Sequence, residues 1–247
     1  MITVHHLENS RSQRVLWLLE ELALPYEVKR YERDKKTSLA PPELRAVHPL
    51  GKSPVITDGK TTVAETGAIV EYLLDKAGGD ALRPAAGSAD RLRFNYWMHF
   101  AEGSAMPPLV MALVFNKVRT APMPFFAKPI AKAIADKVMK GFVQPNLDRN
   151  LAFMEGELSD RGWFAGRSFS AADVMMSFPV EAALSSRGAS KQAPRLANFL
   201  ERSRSVRRHS TGCWRRSVRL SRGAGCAGPS LVVFCARKSP FTTRPGT

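Results

Sequence analysis

The 247-residue sequence predicts a small α/β domain followed by an all-helical domain, and three observations carry that prediction. Strand-like and helix-like segments alternate through roughly the first 80 residues. From Asp90 onward the strand signals fade and helical apolar spacing takes over. Between the two regimes lies DALRPAAGSAD, whose Pro, Gly and Ala content marks a linker.

Each element of the first domain has its own warrant. ITVHHL (2–7) is a short strand-like run, followed by the polar turn Glu8-Asn9-Ser10-Arg11. SQRVLWLLEELAL then places Val15, Leu16, Leu18, Leu19 and Leu22 at helical spacing. Tyr26–Tyr31 form a second strand after Pro25, and PPELRAVHPLG reads as a loop with a short helix. PVITDGKTTVAE is a hairpin that turns at Asp58-Gly59. TGAIVEYLLDKAGG carries Ile69, Val70, Leu73 and Leu74 on one helix face and stops at Gly78-Gly79. The order β-α-β-α-β-β-α sets a first domain at 1–78, a linker at 79–89 and a helical domain at 90–202. Helices are expected near 90–117, near 126–158 with Gly141 and Pro145 as irregularities, near 171–184 and near 192–202. Ser170 and Asp173 have the spacing of a capping box, flanked by Phe169 and Val174 as a hydrophobic staple.

Composition bounds the function. With 44% hydrophobic and 24% charged residues the chain is of ordinary globular type. Its start, MITVHHLENSRS, lacks the basic-then-apolar order of a signal peptide, and no uncharged run approaches the 18 to 20 residues or so of a membrane span. The expected location is the cytoplasm, without a membrane partner. The net charge of +15 sits at one end: Arg202 to Thr247 hold eleven Lys plus Arg and no acid, leaving +4 for residues 1 to 201. Segment 203–247 also holds Cys213, Cys226 and Cys235, whose spacing fits no zinc pattern. This atypical basic tail is a nucleic-acid or membrane-surface arm, a disordered extension, or an out-of-frame reading of a GC-rich gene; the abruptness of the shift favours the last. Nucleic acid is expected as a partner only through the tail. His5, His6, His48, His99 and His209 show no metal-ligand spacing and no Gly-rich phosphate loop follows a strand, so neither metal nor nucleotide is expected. His5 and His6, adjacent on a strand, face opposite ways.

GKSPVITDG, AETGAIVEYL and FSAADVMMSF, in that order across two such domains, resemble the cytosolic glutathione transferase superfamily. HLENSRSQRVLWLLEEL and YWMHFAEGSAMPPLV are similar to its bacterial and fungal, serine-type branch, and the resemblance covers about residues 1–202. It implies a thioredoxin-like first domain, glutathione as co-substrate with no other cofactor, a small hydrophobic electrophile, a homodimer and a role in detoxification. It also implies a further turn and closing helix after PRLANFLER, where this chain has SRSVRRHSTG.

A thiol with a pKa near 8.5 is mostly protonated at neutral pH, so such a site must stabilise the thiolate. The resemblance points to Ser10 as the donor, with Asn9, Arg11 and Ser12 as rivals; read alone, Ser10 could as well cap the helix. The turn has no Cys, which disfavours dithiol exchange. The resemblance further implies a cis Pro54 whose neighbour Ser53 offers its backbone to glutathione, Lys52 at the glycyl carboxylate, and Glu65-Thr66 at the γ-glutamyl end, Thr66 capping its helix. The electrophile pocket is expected between the domains, with Tyr96, His99, Phe100, Ser104, Met106 and Pro107 as candidates. Two other readings stand beside this one: a glutathione-dependent peroxidase activity, and a non-catalytic binding module on the same fold.

Overall fold

The computed structural model describes residues 1–8, 10–34, 37, 39–78, 82–158, 162–187, 192–210 and 231–234. Asn9, Cys213, Cys226 and Cys235 lie outside the described residues. Contacts divide the chain into two units, Met1–Arg83 with the described residues from Arg204 onward, and Pro84–Ser203.

The first unit runs β1 (Ile2–Leu7), α1 (Ser12–Glu21), β2 (Tyr26–Tyr31), α2 (Pro42–Val47), β3 (Val55–Asp58), β4 (Thr61–Ala64) and α3 (Thr66–Lys76). β1 pairs parallel with β2 and antiparallel with β3, which pairs antiparallel with β4. The parallel pair needs a crossover, and α1 supplies it. Seven of the ten α1 residues are buried, among them Val15, Leu16, Trp17, Leu18 and Leu19. α1 ends where Ala23 adopts a left-handed conformation (φ 51°), with Leu24 N donating to Leu19 O and Ala23 N to Glu20 O. Gly59 opens the hairpin loop at φ 59°, a position a two-residue hairpin loop gives to glycine. Asp58 anchors the far end of the hairpin: it takes Lys76 Nζ at 2.6 Å and Tyr72 Oη at 2.8 Å, bonds that hold its carboxyl below the usual carboxylate range.

Within the segment expected as a tail, Leu231–Phe234 form β5, antiparallel to β2, so the sheet order is β4-β3-β1-β2-β5.

In the second unit, α4 (Ala89–Phe100) passes through a π turn (Ala101–Ala105) into α5 (Met106–Thr120). Pro107 and Pro108 lack N–H groups, so the regular ladder cannot continue across them, and the wider turn takes up the mismatch. α6 (Lys128–Val138) joins α7 (Gln144–Glu157) through a second π turn (Met139–Val143), which contains Gly141 just ahead of Pro145. α8 spans Ala171–Arg187. α9 (Pro194–Ser210) runs eight residues past the end the sequence suggested, since Arg and Ser continue a helix that has no apolar period left to reveal it. The core gathers fully buried Phe94, Trp97, Phe164 and Phe199, with Trp97 and Phe164 ring centroids 4.5 Å apart. Asp173 completes the capping box: its carboxylate accepts from Ser170 N (2.8 Å), Ser170 Oγ (2.9 Å) and Phe164 N (2.8 Å). Burial pushes its carboxyl up to about 6, against the pull of those donors and of Arg202. By length and composition the rod Ala89–Thr120 passes for a membrane span, although charged residues interrupt its sequence. Phe94, Trp97 and Met98 of that rod are instead buried in this core.

Candidate active site

Sheet register brings the expected site residues of the first unit to one end. β1 ends at Leu7, next to the turn that carries Ser10. His5 of β1 sits opposite Val55, the residue after Pro54, and Val55 sits opposite Ala64, the residue before Glu65. Three segments far apart in sequence, 10–12, 52–54 and 65–66, therefore share the same sheet end.

Ser10 is the residue this end is built around. It is 8% exposed; its Oγ lies 2.8 Å from Ser12 Oγ and 3.2 Å from Ser53 Oγ, with Ser12 N donating to it at 3.4 Å. Backbone geometry makes Arg11, not Ser10, the N-cap of α1, and Arg11 makes no side-chain capping bond. The Ser10 hydroxyl thus belongs to a hydroxyl cluster rather than to a simple cap. Ser12, fully buried, also lies 2.7 Å from His6 Nδ1. Ser53 Oγ donates to His5 O at 2.9 Å and accepts from Leu7 N at 3.3 Å. The peptide bond from Ser53 to Pro54, just before β3, is cis. Lys52 is exposed.

The start of α3 corrects one expectation. Thr66 already has helical conformation and is 4% exposed; Glu65 is the N-cap, and Ile69 N donates to Glu65 O at 2.9 Å. Glu65 is exposed and takes φ 69°, ψ 128°, a region that non-glycine residues rarely adopt. Its backbone conformation stands at the start of an 11-residue helix, whose first N–H groups lack intrahelical acceptors.

The two adjacent histidines face opposite sides. His5 is 5% exposed and bridges three strands, with Nδ1 2.9 Å from Tyr31 Oη and Nε2 3.2 Å from Thr57 Oγ1. Burial, then Lys29, lower its pKa to about 4, Glu27 opposing. His6 points to Ser12, and burial, then Arg30, lower its pKa, Glu8 opposing. The sequence reading missed the contact of His6 with the site. β1 alternation puts every second side chain on one face, but the distance from that face to the start of α1 is not encoded in any local pattern.

In the second unit, the six electrophile-pocket candidates separate by burial. Tyr96, His99, Ser104 and Pro107 are exposed, whereas Phe100 and Met106 are buried. Tyr96 stacks on Phe100 at 5.7 Å, and Asn150 Nδ2 donates to Ser104 O at 2.8 Å. Among the described residues no cluster of three His, Cys, Asp or Glu could hold a metal ion.

An α/β unit with a cis proline before β3 and a buried serine before its first helix, and a second, all-helical unit, define a thioredoxin-like fold joined to a helical domain. The glutathione S-transferase N-terminal domain matches residues 1–75 and the glutathione S-transferase C-terminal domain residues 116–205. Glutathione S-transferase 1 of Saccharomyces cerevisiae is 34% identical over 209 residues, which cover 81% of this chain and 89% of that one. Glutathione S-transferase 3 of Schizosaccharomyces pombe is 37% identical over 183 residues, 74% of each chain. The crystal structure of a glutathione S-transferase from Actinobacillus pleuropneumoniae superposes with a TM-score of 0.67 at 31% identity, covering 86% of this chain and 92% of that one. The chain belongs to the glutathione S-transferase family.

Proposed function

We propose that the chain is a glutathione transferase in which Ser10 donates a hydrogen bond to the glutathione sulfur and stabilises it as thiolate for attack on a small hydrophobic electrophile. The observation that carries this is the Ser10 hydroxyl, nearly buried yet held, among the described residues, by other hydroxyls and one long backbone contact. None of these partners is a charge that would hold its proton away from an incoming sulfur. Ser53 offers its backbone beside the cis bond to the cysteinyl unit, Lys52 meets the glycyl carboxylate, and Glu65 with the α3 N-terminus receives the γ-glutamyl end. Tyr96, His99, Phe100, Ser104, Met106 and Pro107 are the candidates for contact with the electrophile, the first, second, fourth and last of them exposed. In this reading the protein works in the cytoplasm, in detoxification, as a homodimer; exposed Leu92, Val110, Leu113 and Val114 along one helical rod support a covered face.

The test is Ser10→Ala in the full chain. Glutathione affinity should stay within a few-fold by calorimetric titration, while kcat/KM toward a chlorodinitrobenzene falls by roughly 100-fold, the typical cost of one donor to a developing anion. Full turnover with intact binding sinks the assignment.

A further inference from the structure

Four polar side chains stand in line at this sheet end: His6 Nδ1, Ser12 Oγ, Ser10 Oγ and Ser53 Oγ, with successive separations of 2.7, 2.8 and 3.2 Å. Each serine has one proton to give, so the direction of every bond can be worked out. Ser53 commits its proton to His5 O, and toward Ser10 it can only accept. Ser12 can send its proton to His6 or to Ser10, not to both. Its choice is set by His6, whose Nδ1 accepts in one neutral tautomer and donates in the other.

We propose that His6 and Ser12 are positioning residues that form a proton relay behind Ser10 and decide whether its hydroxyl faces the glutathione sulfur as acceptor or as donor. This rests on the reading of Ser10 as the thiol-side hydroxyl. In the resting arrangement His6 carries its proton on Nε2, Ser12 donates to His6 Nδ1, and Ser10 donates to Ser12 or Ser53. When the thiol S–H points at Ser10 Oγ, three protons shift: thiol to Ser10, Ser10 to Ser12, Ser12 to His6 Nδ1. The sulfur is left as thiolate and the ring as imidazolium. His6 then releases the Nε2 proton to water, since burial and Arg30 of β2 disfavour its charged form, with Glu8 beyond β1 opposing. The neutral ring that remains has its proton on Nδ1. Now His6 donates to Ser12, Ser12 to Ser10 and Ser10 to the sulfur, a chain in which each bond polarises the next. The net change is one proton from thiol to solvent and one tautomer exchange.

The experiment uses the full chain and five variants, Ser10→Ala, Ser12→Ala, His6→Phe, His6→Asn and the double variant Ser12→Ala with His6→Phe. It reads the ultraviolet absorbance of bound glutathione thiolate against pH, and the ring nitrogen chemical shifts of His6. Ser12→Ala and His6→Phe should each raise the apparent pKa of the bound thiol by about one unit, a tenfold loss in its ionisation constant, with glutathione affinity within about threefold. The double variant should be no worse than either single one. His6→Asn, which keeps a polar atom near the Nδ1 position, should recover part of the loss. Glutathione should move His6 toward the Nδ1–H tautomer in the parent chain and not in Ser12→Ala. If Ser10→Ala raises the thiol pKa while Ser12→Ala and either His6 variant leave it at the parent value, the relay is overturned and Ser10 stands. If Ser10→Ala itself leaves the thiol pKa unmoved, the Ser10 reading fails and takes the relay with it. Should His6→Phe fail to fold, Ser12→Ala and His6→Asn decide the matter.

Discussion

Acid should open the sheet that holds the site, and His5 sets how much. The ring is 5% exposed and pinned between Tyr31 and Thr57, and its pKa falls from 6.5 to about 4 on burial. A histidine depressed in the folded state binds its proton more readily when the chain is unfolded. Its contribution is therefore complete above pH 6.5 and disappears as pH falls toward 4. At about 1.36 kcal/mol per pK unit the full loss is about 3 kcal/mol, of which roughly 2.5 kcal/mol is gone by pH 4.5. Other groups titrate nearby. Asp58, depressed by Lys76 and Tyr72, loses its contribution only below the ordinary aspartate range. Asp173, raised to about 6, acts with the opposite sign over the same window, because its folded form takes up the proton first. Subtracting a His5→Asn variant cancels both, along with His6. The assay is urea denaturation of the two chains at pH 7 and pH 4.5, with amide exchange across β1 as a local readout. The parent should lose about 2.5 kcal/mol more than the variant on acidification. Parallel losses would refute the argument that His5 is buried neutral.

Three further outcomes follow from the same geometry. Asp173→Ala strands Phe164 N and Ser170 N and removes the α8 capping box, so denaturation should show a loss of about 3 kcal/mol, and Asp173→Asn a smaller one. Ala23→Gly relieves the left-handed residue that closes α1 and should raise the thermal midpoint through a gain of about 1 kcal/mol; a lower midpoint would contradict the helix-closing motif. Glu65→Gly should stabilise the fold by about 1 kcal/mol while glutathione affinity falls at least tenfold by calorimetry, since the strained backbone relaxes and the carboxylate is gone.

The parts of this structure that a local period can express were legible. Apolar spacing placed α1 and α3, and Asp58-Gly59 fixed the hairpin turn. What escaped lacks a period or depends on distant partners. Ala23 closes α1 in a conformation that glycine would have announced. The π turn at Ala101–Ala105 falls in the polar stretch Glu102-Gly103-Ser104, and Pro107-Pro108 hints at an irregularity without giving its form. LVVF at 231–234 is a strand-like run that the composition of the whole tail concealed. At the site, Ser10 and Ser53 could be named from motifs, but their 3.2 Å approach is a product of sheet register, 43 residues apart in sequence. His6 was visible as a strand residue and not as a site residue, because its partner is set by how α1 leans on β1.

Energy decides what that register must supply. Moving a thiol from a pKa near 8.5 to about 6.5, where it is largely ionised at neutral pH, takes about 2.7 kcal/mol. One hydrogen bond to a charged group contributes about 1.5–3 kcal/mol, so the Ser10 hydroxyl can account for the whole shift, provided its proton is available to the sulfur. That proviso is the demanding part. A serine among other serines tends to give its proton to whichever neighbour accepts, and here Ser12 and Ser53 both lie within 3.2 Å. Ser53 is a weak competitor at the longer distance, and Ser12 competes only while its own proton is drawn to His6. On the proposed relay the control of thiol acidity therefore lies two hydrogen bonds behind the donor, in which nitrogen of the half-buried His6 carries the hydrogen.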